Sequence, residues 1–164
     1  EAARLVQLIE QAIEMTRALS HQLDPVELKT GRLEDHLEDL AAGTTQRFKV
    51  ACQFDCHLHQ RLESATAMHL YRIAQEAVSK AVKHPGVKKI SIGLDGTASD
   101  IILTIKDDGT APAEEMSQAA AAGRAMILRA DLIGAALKLE RLADRGTQLT
   151  CVLPFSRPSH ASQN

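Results

Sequence analysis

The chain has 164 residues, 45% of them hydrophobic, 24% charged and only 2% aromatic, with no Trp. That is the length of one ordinary domain with a short appendage, built on an aliphatic core; it excludes a disordered chain, a collagen-like chain and an aromatic stacking platform for single-stranded nucleic acid. The 19 Lys and Arg against 21 Asp and Glu leave a net charge of -2, which favours neither nucleic acid nor an anionic membrane as partner, and the three Cys (Cys52, Cys56, Cys151) form no disulfide framework and fit a reducing, cytoplasmic setting.

Residues 2–23 read as a helix, with Ala2, Leu5, Leu8, Ile9, Ala12, Ile13, Met15, Thr16 and Leu19 near a helical period. Asp24-Pro25 ends it, because a residue before proline is pushed out of the α region. The helix opens at Glu1 without a capping residue, so the expectation is a segment that continues a longer protein. Its apolar stripe either packs on its own domain or forms half of a dimerising helical hairpin. No apolar run approaches the roughly 18 to 20 residues of a spanning helix, so any membrane anchor is expected outside this segment.

A second helix is expected over 31–42, with Leu33, Leu37 and Leu40 on one face and Gly43 as its stop. Phe48, Val50, Cys52 and Phe54 alternate with more polar residues, which predicts a strand over 48–55 with one buried face. Residues 63–84 form the longest helix, carrying Ala67, Leu70, Tyr71, Ala74, Ala77, Val78 and Ala81 as a stripe and ending before Pro85-Gly86. Strands follow at 87–94 and 100–106 across a turn-rich link, then Asp107-Asp108-Gly109 and an Ala-rich loop to about 122. A helix over 123–134, capped by Gly134, and strands over 136–141 and 147–153 close the pattern; residues 156–164 read as a frayed tail. The order predicts an α+β fold, a two-layer sandwich with a mixed, mainly antiparallel sheet and helices on one face, preceded by an N-terminal helix.

Taken singly, the residues that can do chemistry have ordinary explanations. Asp107-Asp108-Gly109 is a common turn, Glu76 a solvated helix residue, and Gly146-Thr147 a hairpin turn. Cys52, Cys56, His57 and His59 crowd together and invite a zinc or haem reading. Cys52 fits the buried face of a strand, however, and adjacent Cys56 and His57 do not easily chelate one ion, so a strand-to-loop segment is preferred and no metal site is assigned. His84, near the end of the long helix, is accounted for by the helix dipole.

Taken in order, the same pieces resemble a family. Leu70-Tyr71-Arg72-Ile73-Ala74-Gln75-Glu76-Ala77-Val78-Ser79-Lys80-Ala81-Val82-Lys83-His84 resembles the nucleotide-binding helix of sensor histidine kinases. Asp107-Asp108-Gly109 is similar to their adenine-reading D-x-G box, Arg129 to Ala135 to the end of the helix after the lid, and Arg145 to Pro154 to the closing GT hairpin. Residues 2–40 look like the second dimerisation helix and its exit. The resemblance implies a histidine kinase-like ATPase domain at 31–155, with the end of a dimerisation hairpin and a linker at 1–30. It implies ATP and Mg²⁺ as cofactors, adenine contact at Asp107 and Gly109, phosphate contact at Thr147 and in the lid at Gly123, and Glu76 as the base or metal-side carboxylate. It further implies a homodimer formed through the N-terminal helix, a response regulator as partner, and no contact with nucleic acid or membrane within this segment.

Three departures bear on activity. Lys80 stands where the family has the Asn that ligates Mg²⁺; a lysine cannot ligate a cation. Either Lys80 holds phosphates directly or the site has lost Mg²⁺-dependent chemistry. Ala111 replaces the second Gly of the D-x-G-x-G box, and in the lid, Ala119-Ala120-Ala121-Ala122-Gly123, only Gly123 remains of the glycines whose amides hold phosphate. The phosphoacceptor His of the family belongs upstream of residue 1, and His21, on the second hairpin helix, does not replace it. The two functions carried forward are an ATP-binding catalytic domain that transfers phosphoryl to a histidine outside the chain, and a degenerate, non-catalytic dimerisation or docking module.

Overall fold

The computed structural model describes residues 32–111 and 123–155, with Arg4 in isolation. The chain divides into two units, Glu1–Thr30 and Gly31–Asn164, and the second is described below. The helix expected over 2–23, the lid over 112–122 and the tail from 156 lie outside the described residues.

The second unit runs α1 (Leu33–Phe48), β1 (Ala51–His57), α2 (Ser64–Ala81), β2 (Lys89–Gly96), β3 (Asp100–Asp107), α3 (Arg124–Leu132), β4 (Ala136–Arg141) and β5 (Thr147–Pro154). The strands make one sheet in the order β1-β2-β3-β5-β4. Only the β1–β2 pair is parallel, the two strands being separated in sequence by α2; the other pairs are antiparallel. The fold is therefore α+β with a mixed, mainly antiparallel sheet, as the sequence predicts.

Strand periodicity builds the core. Ile90, Ile92 and Leu94 on β2, Ile101, Leu103 and Ile105 on β3, and Leu149, Cys151 and Leu153 on β5 are all buried. The register sets them side by side: Ile92 faces Ile105, Leu94 faces Leu103, Leu103 faces Cys151, and Ile105 faces Leu149. The intervening positions, among them Ser91, Gly93, Thr104, Gln148 and Thr150, are half-buried and more polar. One face of the sheet is thus fully covered and the other only half-buried and more polar, an arrangement that antiparallel sheets allow. The covering layer is α2, whose Ala67, Leu70, Ile73, Ala74, Ala77, Val78 and Ala81 form a buried stripe. Beside it, α1 buries Leu33, Leu37, Ala41 and Thr44. Each fully buried Leu or Ile contributes about 1.5 to 3 kcal/mol to folding before entropy is set against it.

Two expectations at α1 and β1 are corrected. Gly43 does not stop α1; an added Cβ there would meet nothing within 4 Å, and the helix continues another turn to Phe48. Phe48 is accordingly a helix residue, 48% exposed, and not the first position of the strand. The break falls at Lys49, whose φ of 58° is the left-handed conformation that closes the helix, with its N–H on the Thr45 carbonyl at 3.2 Å. β1 is an edge strand. Its Ala51 N–H pairs inward with the Lys88 carbonyl at 2.9 Å, and the outward Cys52 N–H is met by the Thr45 hydroxyl at 2.9 Å.

Candidate functional site

The end of β3 and the start of β5 meet in register at Asp107 and Thr147. Both side chains are buried, Asp107 at 4% and Thr147 at 5% exposure. The Thr147 hydroxyl donates to Asp107 Oδ2. Asp107 Oδ1 accepts the Gly109 N–H at 2.9 Å and lies 3.1 Å from His84 Nδ1. The local sequence makes this closure possible. Gly146 has φ +105°, and a Cβ there would stand 1.9 Å from the Asp107 carbonyl oxygen, so no side chain is tolerated before Thr147. A Cβ on Gly109 would come within 2.6 Å of the His84 Cβ.

Burial opposes ionisation of Asp107. The hydrogen bonds from His84 and Thr147, the charge of His84 and the Gly109 amide outweigh that penalty and hold its carboxyl below the ordinary carboxylate range. The neighbouring Asp108 plays a separate part. Its Oδ1 accepts the Lys88 and Lys89 N–H groups at 2.8 and 2.9 Å, which fixes the start of β2 and likewise lowers its pKa.

The other expected residues stand on the helical layer. Glu76 and Lys80 occupy one ridge of α2, one turn apart, with Oε1 3.7 Å from Nζ and side chains 29% and 34% exposed. From Lys80 the chain leaves the helix through a short turn to His84, which joins this ridge to Asp107. Gly123 is the residue before α3, where its carbonyl accepts the Ile127 N–H at 2.8 Å; its φ of -93° is not left-handed. Asp107, Gly109 and Thr147 are thus drawn into one cluster, Glu76 and Lys80 form a second, and Gly123 belongs to a third element.

Two residues escaped the sequence reading. His84 is in direct contact with Asp107, a relation 23 positions apart that a helix-end dipole does not suggest. Arg141, opposite Thr147 at the end of β4, donates from a guanidinium nitrogen to the Ala111 carbonyl at 2.8 Å and so holds the chain just after Gly109. Its only signal was a basic residue at a strand end.

The chemistry of the donor set can be tested against Mg²⁺. Asp107 turns both oxygens toward protein donors, and Glu76 faces an ammonium. Among the described residues no three His, Cys, Asp or Glu side chains are grouped so as to hold a metal ion, which includes Cys52, Cys56, His57 and His59. His57 instead pairs with Asp95 at 3.1 Å. The described residues do not fit a protein-held Mg²⁺.

No protein-family model matches the chain. Among curated proteins it is 28% identical over 149 residues to the sensor protein VraS of Staphylococcus haemolyticus, a match that spans 90% of this chain and 42% of that protein. It is 31% identical over 122 residues to the signal transduction histidine-protein kinase/phosphatase DegS of Bacillus subtilis, spanning 69% of this chain and 32% of DegS. The chain belongs among the sensor histidine kinases. Its fold is that of their catalytic domain: the ATP binding domain of PrrB from Mycobacterium tuberculosis superposes with a TM-score of 0.59 at 18% identity, covering 77% of this chain and 96% of that one. The chain spans well under half the length of the curated sensor kinases it matches. Among the described residues no helix is long and apolar enough to cross a membrane.

Proposed function

We propose that this domain binds an adenine nucleotide, ATP in its working state, for phosphoryl transfer to a histidine outside the chain, within two-component signalling. The observation that carries the reading is the buried carboxylate of Asp107, held below the ordinary carboxylate range among Gly109, Thr147 and His84 at the end of β3. An acceptor-only group in a low-dielectric setting suits the exocyclic amine of adenine. Lys80 on the adjoining helix is the cation for the phosphates, with Gly123 at the start of α3 as a neutral partner, while Thr147, whose hydroxyl donates to Asp107, belongs with the base and not with the phosphates. Glu76 is the carboxylate that would orient or deprotonate the attacking group. Homodimerisation through residues 1–30 and a downstream response regulator follow from the same reading, with the cytoplasm as its setting.

The test is calorimetric titration of the chain with ATP and with ADP, each in Mg²⁺ and in EDTA. Saturable heat supports the proposal; no heat and no thermal shift at millimolar nucleotide ends it.

A second reading is a degenerate domain that dimerises or docks another signalling protein without turnover. The Glu76–Lys80 pair favours it, because a carboxylate 3.7 Å from an ammonium is already engaged in an ion pair and not held toward an attacking group. Hydrolysis of ATP by the unaltered protein would remove this alternative.

A further inference from the structure

We propose that His84 is the residue that sets Asp107 for base recognition, a positioning residue that fixes which lone pairs of the carboxylate a nucleobase meets. The inference rests on the adenine-nucleotide reading above and deepens it.

The imidazole of His84 is buried, its side chain only 8% exposed, and its Nδ1 lies 3.1 Å from Asp107 Oδ1. An ionised carboxylate has only acceptors, so the hydrogen of this bond sits on Nδ1. The Gly109 N–H donates to the same oxygen at 2.9 Å. Two donors therefore fill the two lone-pair sites of Oδ1, while Oδ2 takes one, from the Thr147 hydroxyl. That leaves one accepting site on Oδ2. The single hydroxyl proton of Thr147 is committed to Asp107, so toward any ligand its oxygen also only accepts. A base edge meeting this pair finds acceptors alone. The amine of adenine fits; the carbonyl at the same place in guanine is repelled. Without His84, Oδ1 has an open site, the carboxylate can turn to present either oxygen, and the distinction weakens.

The surroundings are built for the contact. Gly109 has no side chain where His84 approaches, since a Cβ there would lie 2.6 Å from the His84 Cβ and 3.1 Å from Asp107 Oδ1. The Thr110 N–H reaches the Pro85 carbonyl at 3.0 Å, and the Val87 N–H reaches the His84 carbonyl at 3.2 Å. The first of these bonds ties the His84 turn to the chain just past Asp107, and the second closes the turn itself. A histidine serving only the helix dipole has no need of burial against a carboxylate on the sheet.

The experiment titrates ADP and GDP into the wild-type chain and into His84→Ala and His84→Asn. A hydrogen bond to a charged group is lost in His84→Ala, so ADP should bind at least about tenfold more weakly and the preference for ADP over GDP should narrow by a similar factor. Asparagine carries an amide N–H close to the place of Nδ1 and should restore ADP binding to within about threefold of wild type. A folded His84→Ala protein with unchanged ADP affinity and unchanged preference overturns the proposal. Should that variant fail to fold, nitrogen NMR of the wild-type histidine rings decides. An Nδ1-protonated His84 whose resonances move on saturation with ADP supports it, and an Nε2-protonated ring or one indifferent to ADP overturns it. A wild-type chain that binds no adenine nucleotide removes the underlying reading along with this one; binding that ignores His84 removes only the role of His84.

Discussion

The two halves of the site are built in opposite ways. At the sheet end, Asp107, Thr147 and His84 are buried, and the carboxylate is held by three protein donors. On α2, Glu76 and Lys80 are about one-third exposed and meet at 3.7 Å, a loose contact on a helix surface. The first arrangement costs desolvation and is worth keeping only if all its bonds are made together; the second contributes a few tenths of a kcal/mol at most. The part proposed to meet a base has its hydrogen bonds already made. The part that in the family resemblance meets phosphate and metal has changed its charge without disturbing the framework. A domain can therefore lose or alter turnover while its base-recognition end stays intact.

The comparison is broken most severely at Gly146. Gly146→Ala puts a Cβ against the Asp107 carbonyl in a left-handed backbone, and should destabilise the domain by about 3 kcal/mol or more, read as a drop in the midpoint of chemical unfolding. Asp107→Asn is next. It removes the charge that His84, Thr147 and Gly109 all address, and should cost about 1 to 3 kcal/mol of stability together with detectable ADP binding, read by denaturant titration and calorimetry. The same group sharpens the contrast through pH. The folded pKa of Asp107 is below its unfolded value, so its stabilisation is fully present above the ordinary carboxylate range and is lost as pH falls through the folded pKa. Wild-type stability should decline over that acid interval, and the decline should be shallower in Asp107→Asn. The smallest effect belongs to Lys80→Met. Stability should shift by less than about 0.5 kcal/mol, since the pair is exposed, while ATP should weaken more than adenosine does. Equal weakening of both ligands would take Lys80 away from the phosphates.

The sheet was readable because its signal is local. β4 and β5 begin where alternation and the flanking Gly134 and Gly146 place them, and α2 follows its alanine-rich stripe. The start of β1 was not readable, because Phe48 continues the alternation of Val50, Cys52 and Phe54 across a helix end made by a left-handed lysine. Nothing in a lysine announces that conformation. The two aspartates of Asp107-Asp108-Gly109 look alike in sequence, yet one is sealed against His84 and the other anchors two backbone amides of β2. Asp107 is the last residue of β3 on its buried face and Asp108 lies just past the strand, with partners about 20 or 40 positions away. His84 and Arg141 escaped for the same reason, since each acts across the sheet end and not along its own element.

The hydroxyl of Thr45 has one more consequence. An edge strand with bare outward amides is a template on which a neighbouring copy can lay a strand and start a fibre. In β1 the outward amide of Cys52 is already taken by the preceding helix. A neighbouring strand pairing at this position would have to displace Thr45. Replacing Thr45 by valine should therefore show itself in crowded solution as a tendency to clump, with little to notice in dilute solution.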